Sequence, residues 1–263
     1  MVAGEMLYSV SQWWLCAGAI LVFLIAAEGG FQLGRRTRSS IDETARAQIN
    51  TIQAAVLGLL ALLLAFTSSM ALSRFEVRKG LVLDESSAIS TTYLRVQLLP
   101  EPYRRDLRDL LRHYVAVWLD FYAAGVDAAL LQAARLTIAQ LHQQLWGLAA
   151  AVNAQDPQAM TTGLFLQSLN EVIDLHAKRE TALDNHVPES ILLLLFLVAV
   201  CALGMIGYGF GFSARRHVVQ TLTIQCLITL ILFVIMDLDR PRRGLIKVGQ
   251  QRMIELQRSL NEL

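Results

Sequence analysis

Apolar and polar positions alternate along this chain on two length scales. On the longer scale, four largely apolar runs occupy residues 13–33, 52–73, 188–212 and 217–236. Each is long enough, at about 1.5 Å per residue of helix, to cross the hydrocarbon core of a bilayer. On the shorter scale, the region 74–187 and the tail 237–263 carry apolar residues at helical spacing and no hairpin signal such as Asn-Gly. The pattern predicts an all-α membrane protein with four crossings, a helical extension and an amphipathic tail helix from about Lys247.

The second run is the informative one. Ile52 to Ser73 is uncharged and passes without a Gly or Pro break into Arg74, Glu76, Arg78 and Lys79, so one helix is expected to leave the membrane and continue into water. Ala61, Ala65 and Ser69 recur at i, i+4, i+8, a small-residue ridge against which a neighbouring helix can close. About 100° round the helix, Gly58, Leu62 and Phe66 form a second ridge that grows bulkier toward Arg74. Two readings of the second ridge stand. It either faces lipid or the bundle core, or it lines a lumen, where apolar rings gate by dewetting.

Within 74–187, Pro100-Glu101-Pro102 is expected to end one helix and Pro102 to open the next. Tyr103 to Tyr122 then reads as amphipathic, with Leu107, Leu110, Leu111, Tyr114, Val117 and Leu119 on its apolar face. A third helix spans about Asp127 to Asn153. A fourth follows Gln155-Asp156-Pro157, with Asp156 as its expected N-cap, and is interrupted at His186-Val187-Pro188.

The first run opens on Trp13-Trp14, an interfacial aromatic pair, and the segment before it holds Glu5 without Lys or Arg, which favours a retained helix over a signal peptide. Glu28, in its final turns, is either an intramembrane functional acid paired to an Arg of another helix or a headgroup-level carboxylate near Arg35 and Arg36. In the third run, Gly207 and Gly211 are spaced for tight helix contact. Ser213 to Arg216 makes a minimal turn. Gln220, Thr221, Thr223, Gln225 and Thr229 of the fourth run are expected to bond to neighbouring helices. The acids Asp237 and Asp239 beside Arg240 form either a salt-bridge pair or the beginning of a divalent-cation site, and calcium normally takes six to eight oxygens.

Composition narrows the function classes. Hydrophobic residues make up 54% of 263, with a mean hydropathy of +0.45, too apolar for an ordinary soluble domain. Lys plus Arg (23) nearly balance Asp plus Glu (22), so nothing points to nucleic acid. Cys16, Cys201 and Cys226 lie in apolar runs without metal spacing. His176 and Glu180 lie at i, i+4 with His186 beyond, but no third ligand is placed, and no metal, cofactor, catalytic triad or nucleotide fingerprint is expected. Asp84 and Glu85 are candidates for a vestibule charge ring that selects cations, and Arg74 and Arg78 for one that favours anions.

The stretch through Ser73-Arg74-Phe75-Glu76-Val77-Arg78-Lys79 resembles the bestrophin signature, an apolar helix ending in Y-D-R-W-W-E-x-R-K, though it lacks the Tyr-Asp pair and the double Trp, and its Glu comes one residue early. Asp84 to Val115 and Asp237 to Leu260 resemble the bacterial bestrophin-like domain family, a domain of unknown function. The resemblance implies a single bestrophin-like domain over 1–263 and a homo-oligomer, by analogy a pentamer, that passes inorganic ions through the bilayer. In bestrophins the pore neck is an apolar i, i+4, i+8 triplet ending eight residues before the signature Arg. That places Phe66, Leu62 and Gly58 at the neck, Gly58 departing in character. Eukaryotic bestrophins bind calcium in an acidic run after the last membrane helix, which this chain lacks. Lys and Arg near the membrane ends number six on the side of the short connections and ten on the other, so both termini and 74–187 are expected inside the cytoplasm, at the cell (inner) membrane. A membrane-anchored sensor or scaffold without transport is the alternative.

Overall fold

The structure is a computed structural model and describes residues 10–156, 158–213 and 216–262. Among these there is no strand. The described residues form eight α-helices, in order α1 (Gln12–Thr37), α2 (Glu43–Val96), α3 (Tyr103–Ala123), α4 (Ala128–Gln155), α5 (Met160–Asp184), α6 (Glu189–Gly211), α7 (Val218–Leu238) and α8 (Gln251–Glu262), with a 3-10 turn at Arg38–Ser40. Four helical stretches, containing α1, α2, α6 and α7, are long and apolar enough to cross a membrane. The chain divides into two compact units, residues 1–73 with 186–240, and residues 74–185 with 241–263.

α2 is one unbroken helix of 54 residues. It starts earlier than the apolar run, because Asp42 accepts the backbone N–H of Ala45 at 2.8 Å and so caps a first turn built from the polar Glu43-Thr44-Ala45-Arg46.

In the first unit α1 and α6 touch backbone to backbone. A Cβ on Gly207 would lie 2.0 Å from the Ala27 carbonyl oxygen, one on Gly30 2.0 Å from that of Gly204, and one on Gly211 2.5 Å from that of Phe31. Glycine is required at these positions by space. This is the close approach that the Gly207/Gly211 spacing predicts. The rest of the core is apolar, with Phe23, Leu60, Leu64, Leu195, Leu203 and Ile228 at its centre. Of the five polar residues expected to bond from α7 to other helices, Gln225 does so, donating to the Ile20 carbonyl at 2.9 Å. Thr221 and Thr223 instead return to their own helix, bonding His217 and Val219 carbonyls, which removes their cost in lipid locally. Gln220 is exposed, and the buried Thr229 hydroxyl has no hydrogen-bond partner among the described residues. The minimal turn partly escapes description, since Ala214 and Arg215 lie outside the described residues.

The second unit is a helical bundle of α3, α4, α5, α8 and the latter part of α2, closed around Ile89, Leu107, Leu111, Leu145, Phe165 and Met253. Asp127 caps α4 through bonds from Ala129 and Leu130. The corresponding expectation for α5 is corrected. Asp156 accepts the Gln158 N–H in a turn before the helix, and Ala159 occupies the N-cap without a side-chain bond. Pro157 lies outside the described residues. Pro102 stands at the N-cap of α3 rather than its first turn, after a cis Glu101–Pro102 bond. The buried face of α3 is also turned from the expected one. Val115, Trp118 and Phe121 are buried with Leu107, Leu111 and Tyr114, whereas Leu110, Val117 and Leu119 are only partly covered.

Replacing Gly207 by Ala is expected to lower the unfolding free energy of the detergent-solubilised protein by about 1–3 kcal/mol, since backbone cannot yield as a side-chain tip can. Gly18→Ala, where the added methyl meets nothing within 4 Å, is the matched control and should leave it unlowered.

Candidate functional site

The first candidate is the membrane segment of α2. Only one of its faces is buried within the unit, the stripe Leu60, Leu64, Thr67 and Ala71. Gly58, Leu62 and Phe66 lie together on an exposed strip, with Leu62 52% and Phe66 64% accessible. The small-residue ridge Ala61, Ala65 and Ser69 is exposed as well, so among the described residues no helix closes on it, and it is left available to a neighbouring helix.

Among the signature residues at the end of this segment, Arg78 has a different task from the one expected. Arg78 is 2% exposed and donates from Nε to the Ala182 carbonyl and from Nη2 to the Asn185 carbonyl, both at 2.9 Å. Arg74 bonds the Asn185 side chain. Arg78 thus satisfies two carbonyls at the end of α5, where the helix dipole favours a cation, while Arg74 holds the side chain of the residue that ends the helix. An anion ring cannot be built from Arg78, because its guanidinium is turned inward. Phe75 packs partly buried against the bundle core, and Glu76 is exposed beside Lys79 at 3.7 Å.

Asp84 and Glu85 part company as well. Asp84 is exposed, but Glu85 is wholly buried and so is withdrawn from any vestibule. Its carboxylate is the centre of a polar cluster that charge counting along the sequence does not reveal. Arg179 Nε donates to Glu85 Oε2 at 2.6 Å, Trp118 Nε1 to the same oxygen at 2.9 Å, and the Tyr114 hydroxyl to Oε1 at 2.6 Å. His176 Nδ1 lies 3.5 Å from Oε1 and 3.2 Å from the Tyr114 hydroxyl. The Arg179 guanidinium also stacks 4.4 Å from the Trp118 ring. Burial pushes the Glu85 carboxyl up. Arg179 and the hydrogen bonds of His176 and Tyr114 together outweigh burial and hold it below the usual carboxylate range. Burial first, and the Glu85 charge second, push the Tyr114 phenol well above its ordinary value. His142, whose ring centroid is 5.0 Å from that of His176, is pushed down to about 4 by burial and by the His176 charge. This arrangement is an internal strut in which donors from the protein meet both oxygens of the Glu85 carboxylate.

A third polar group closes the first unit at the end of α7. Asp237 and Asp239 are each 1% exposed and Arg240 is 5% exposed. Asp237 accepts Gln12 Nε2 at 3.0 Å, Asp239 accepts the Val187 N–H at 2.7 Å, and Arg240 donates to the Val10 carbonyl at 2.8 Å. His186 Nδ1 is 3.7 Å from the Asp239 carboxylate. These bonds pin the chain where α6 begins and α7 ends. No three His, Cys, Asp or Glu side chains among the described residues are grouped to hold a metal. Glu28 meets Arg216 at 3.3 Å, with Gln32 one turn on.

Removing the charge of Glu85 in Glu85→Gln strands Arg179 in the bundle and is expected to cost about 3–5 kcal/mol in chemical unfolding. Combining it with Arg179→Met should cost less than the two single changes together. The His142 value also sets a pH dependence. A histidine whose folded value lies below its ordinary 6.5 contributes stability that is present above pH 6.5 and lost as the pH falls toward 4. The pH dependence of the melting temperature between those limits should therefore flatten in His142→Gln.

The Bestrophin-like domain family matches the chain over residues 21–253. Among solved structures, the chain is similar to a variant of a bacterial bestrophin homologue from Klebsiella pneumoniae, at 15% identity and a TM-score of 0.68 over 96% of this chain and 98% of that one. A structure of that homologue phased on zinc gives 16% identity and a TM-score of 0.65, again over 96% and 98%. A crystal structure described only as a membrane protein variant gives 16% and 0.65 over 95% and 97%. No curated protein is matched. At these identities the structures establish a shared fold, and the family match, which spans most of the sequence, establishes kinship. The chain is a four-crossing, all-α member of the Bestrophin-like domain family.

Proposed function

We propose that copies of this chain assemble around an axis into an ion channel whose neck is the α2 strip Gly58, Leu62 and Phe66. The observation that carries the reading is the uneven use of α2. One stripe is buried by the chain's own helices, while both the small-residue ridge and the Leu62/Phe66 ridge are left uncovered. A helix inside a ring of subunits needs two such faces, one of small residues for its neighbours and one for the lumen. The apolar side chains Leu130, Leu136 and Trp146, exposed on α4, are further surface available to self-association. Five copies and a cell (inner) membrane location with cytoplasmic termini follow from the family resemblance and from the Lys/Arg distribution. With Glu85 and Arg78 engaged internally, Asp84 is the member of the expected vestibule pair that stays exposed to passing inorganic ions.

Purified protein in a planar bilayer under a salt gradient should conduct, and Phe66→Ala should change its conductance or open probability by removing the widest apolar obstacle. Current that is identical in the two proteins would move the neck elsewhere. Silence from both, with assembly confirmed, would favour the sensor or scaffold reading.

A further inference from the structure

α1, α6 and α7 border an open cavity of about 230 Å³ that the channel reading does not use. Leu24, Phe31, Phe210 and Leu222 give it apolar walls, and Glu28 and Arg216 carry its charges. The other polar linings are occupied. His217 Nε2 is 3.3 Å from the Ser213 hydroxyl, and Thr221 bonds the His217 carbonyl. Glu28 and Arg216 meet at 3.3 Å yet remain 44% and 58% exposed, and the guanidinium lies 5.0 Å from the Phe31 ring, which steadies one of its faces. A pair this open contributes little to stability, too little to account for a carboxylate in the apolar run of α1.

From this geometry we infer that the cavity is a headgroup site for a zwitterionic aminophospholipid. Its phosphate takes the place of Glu28 on Arg216, and its primary ammonium takes the place of Arg216 on Glu28. The exchange preserves both charge contacts, because the ligand brings one charge of each sign at a similar separation. The volume is smaller than the roughly 300–1,000 Å³ of pockets that enclose whole small molecules, which suits a headgroup whose acyl chains run out along the exposed Leu24 and Leu222. A primary ammonium donates hydrogen bonds to a carboxylate and a quaternary one cannot, so ethanolamine headgroups are favoured over choline ones.

The test uses the delipidated full chain in detergent with phosphatidylethanolamine, phosphatidylcholine or phosphatidylglycerol of identical acyl chains, read by native mass spectrometry and thermal shift. The ethanolamine lipid should be retained about tenfold better than the choline lipid, the difference one charge-assisted bond makes. Glu28→Gln should erase that preference and leave the glycerol lipid unaffected, whereas Arg216→Gln should weaken all three. Equal retention of the three lipids by the unmodified protein would overturn the inference without any variant. So would a preference that survives both substitutions, or equal stabilisation by soluble phosphoethanolamine, which has no use for the apolar walls.

Discussion

A carboxylate taken wholly out of water is tolerable only when donors replace the water it loses. In this bundle the donors arrive from separate helices. Glu85 comes from α2, Tyr114 and Trp118 from α3, and His176 and Arg179 from α5, while His142 of α4 packs its ring against that of His176. None of these helices can slide by a residue without stranding a buried charge or an indole N–H. Apolar contacts such as Leu107, Leu145 and Phe165 supply the bulk of the burial but tolerate small shifts in register. Directional bonds do not, and they fix how the helices of this unit are phased.

The membrane unit reaches a defined register by opposite means. Hydrophobic burial distinguishes little between one apolar face and another in lipid, so shape must choose. Shape does so where Gly30, Gly207 and Gly211 bring α1 and α6 into backbone contact, at positions that admit no side chain. The polar exceptions are few and spent on anchoring, as with Gln225 on the Ile20 carbonyl and Asp239 on the Val187 N–H.

Much of this was legible in the residues. The four apolar runs, the continuity of α2 past Ser73 and the Gly207/Gly211 contact follow from period and residue size alone. Glu85 and Arg78 depart from the vestibule expectation because a charge's place along the chain does not say which face of the helix it occupies. Arg78, Val82, Glu85, Ile89 and Val96 recur at helical spacing on one stripe of α2, and all five are buried. The apolar members of that stripe were the available signal, and the neighbouring Asp84, one step round the helix, falls off it. The fate of Ala61, Ala65 and Ser69 was not legible, because which small-residue ridge closes within a chain depends on partners far away in sequence. For the same reason the residues alone offer Glu28 an Arg of another helix as a partner without showing that it is Arg216.

The bonds from Arg74 and Arg78 to the end of α5 have a topological meaning. Residues 74–185 enter the second unit at Arg74 and leave it at Asn185, and these two residues are hydrogen-bonded to each other. In architectural terms the segment is an insertion with a closed mouth. Its ends stay together whatever lies between them, so lengthening or shortening a connection within it, such as the turn at Gly125, changes the entropy of a loop without displacing the points where the chain departs and returns.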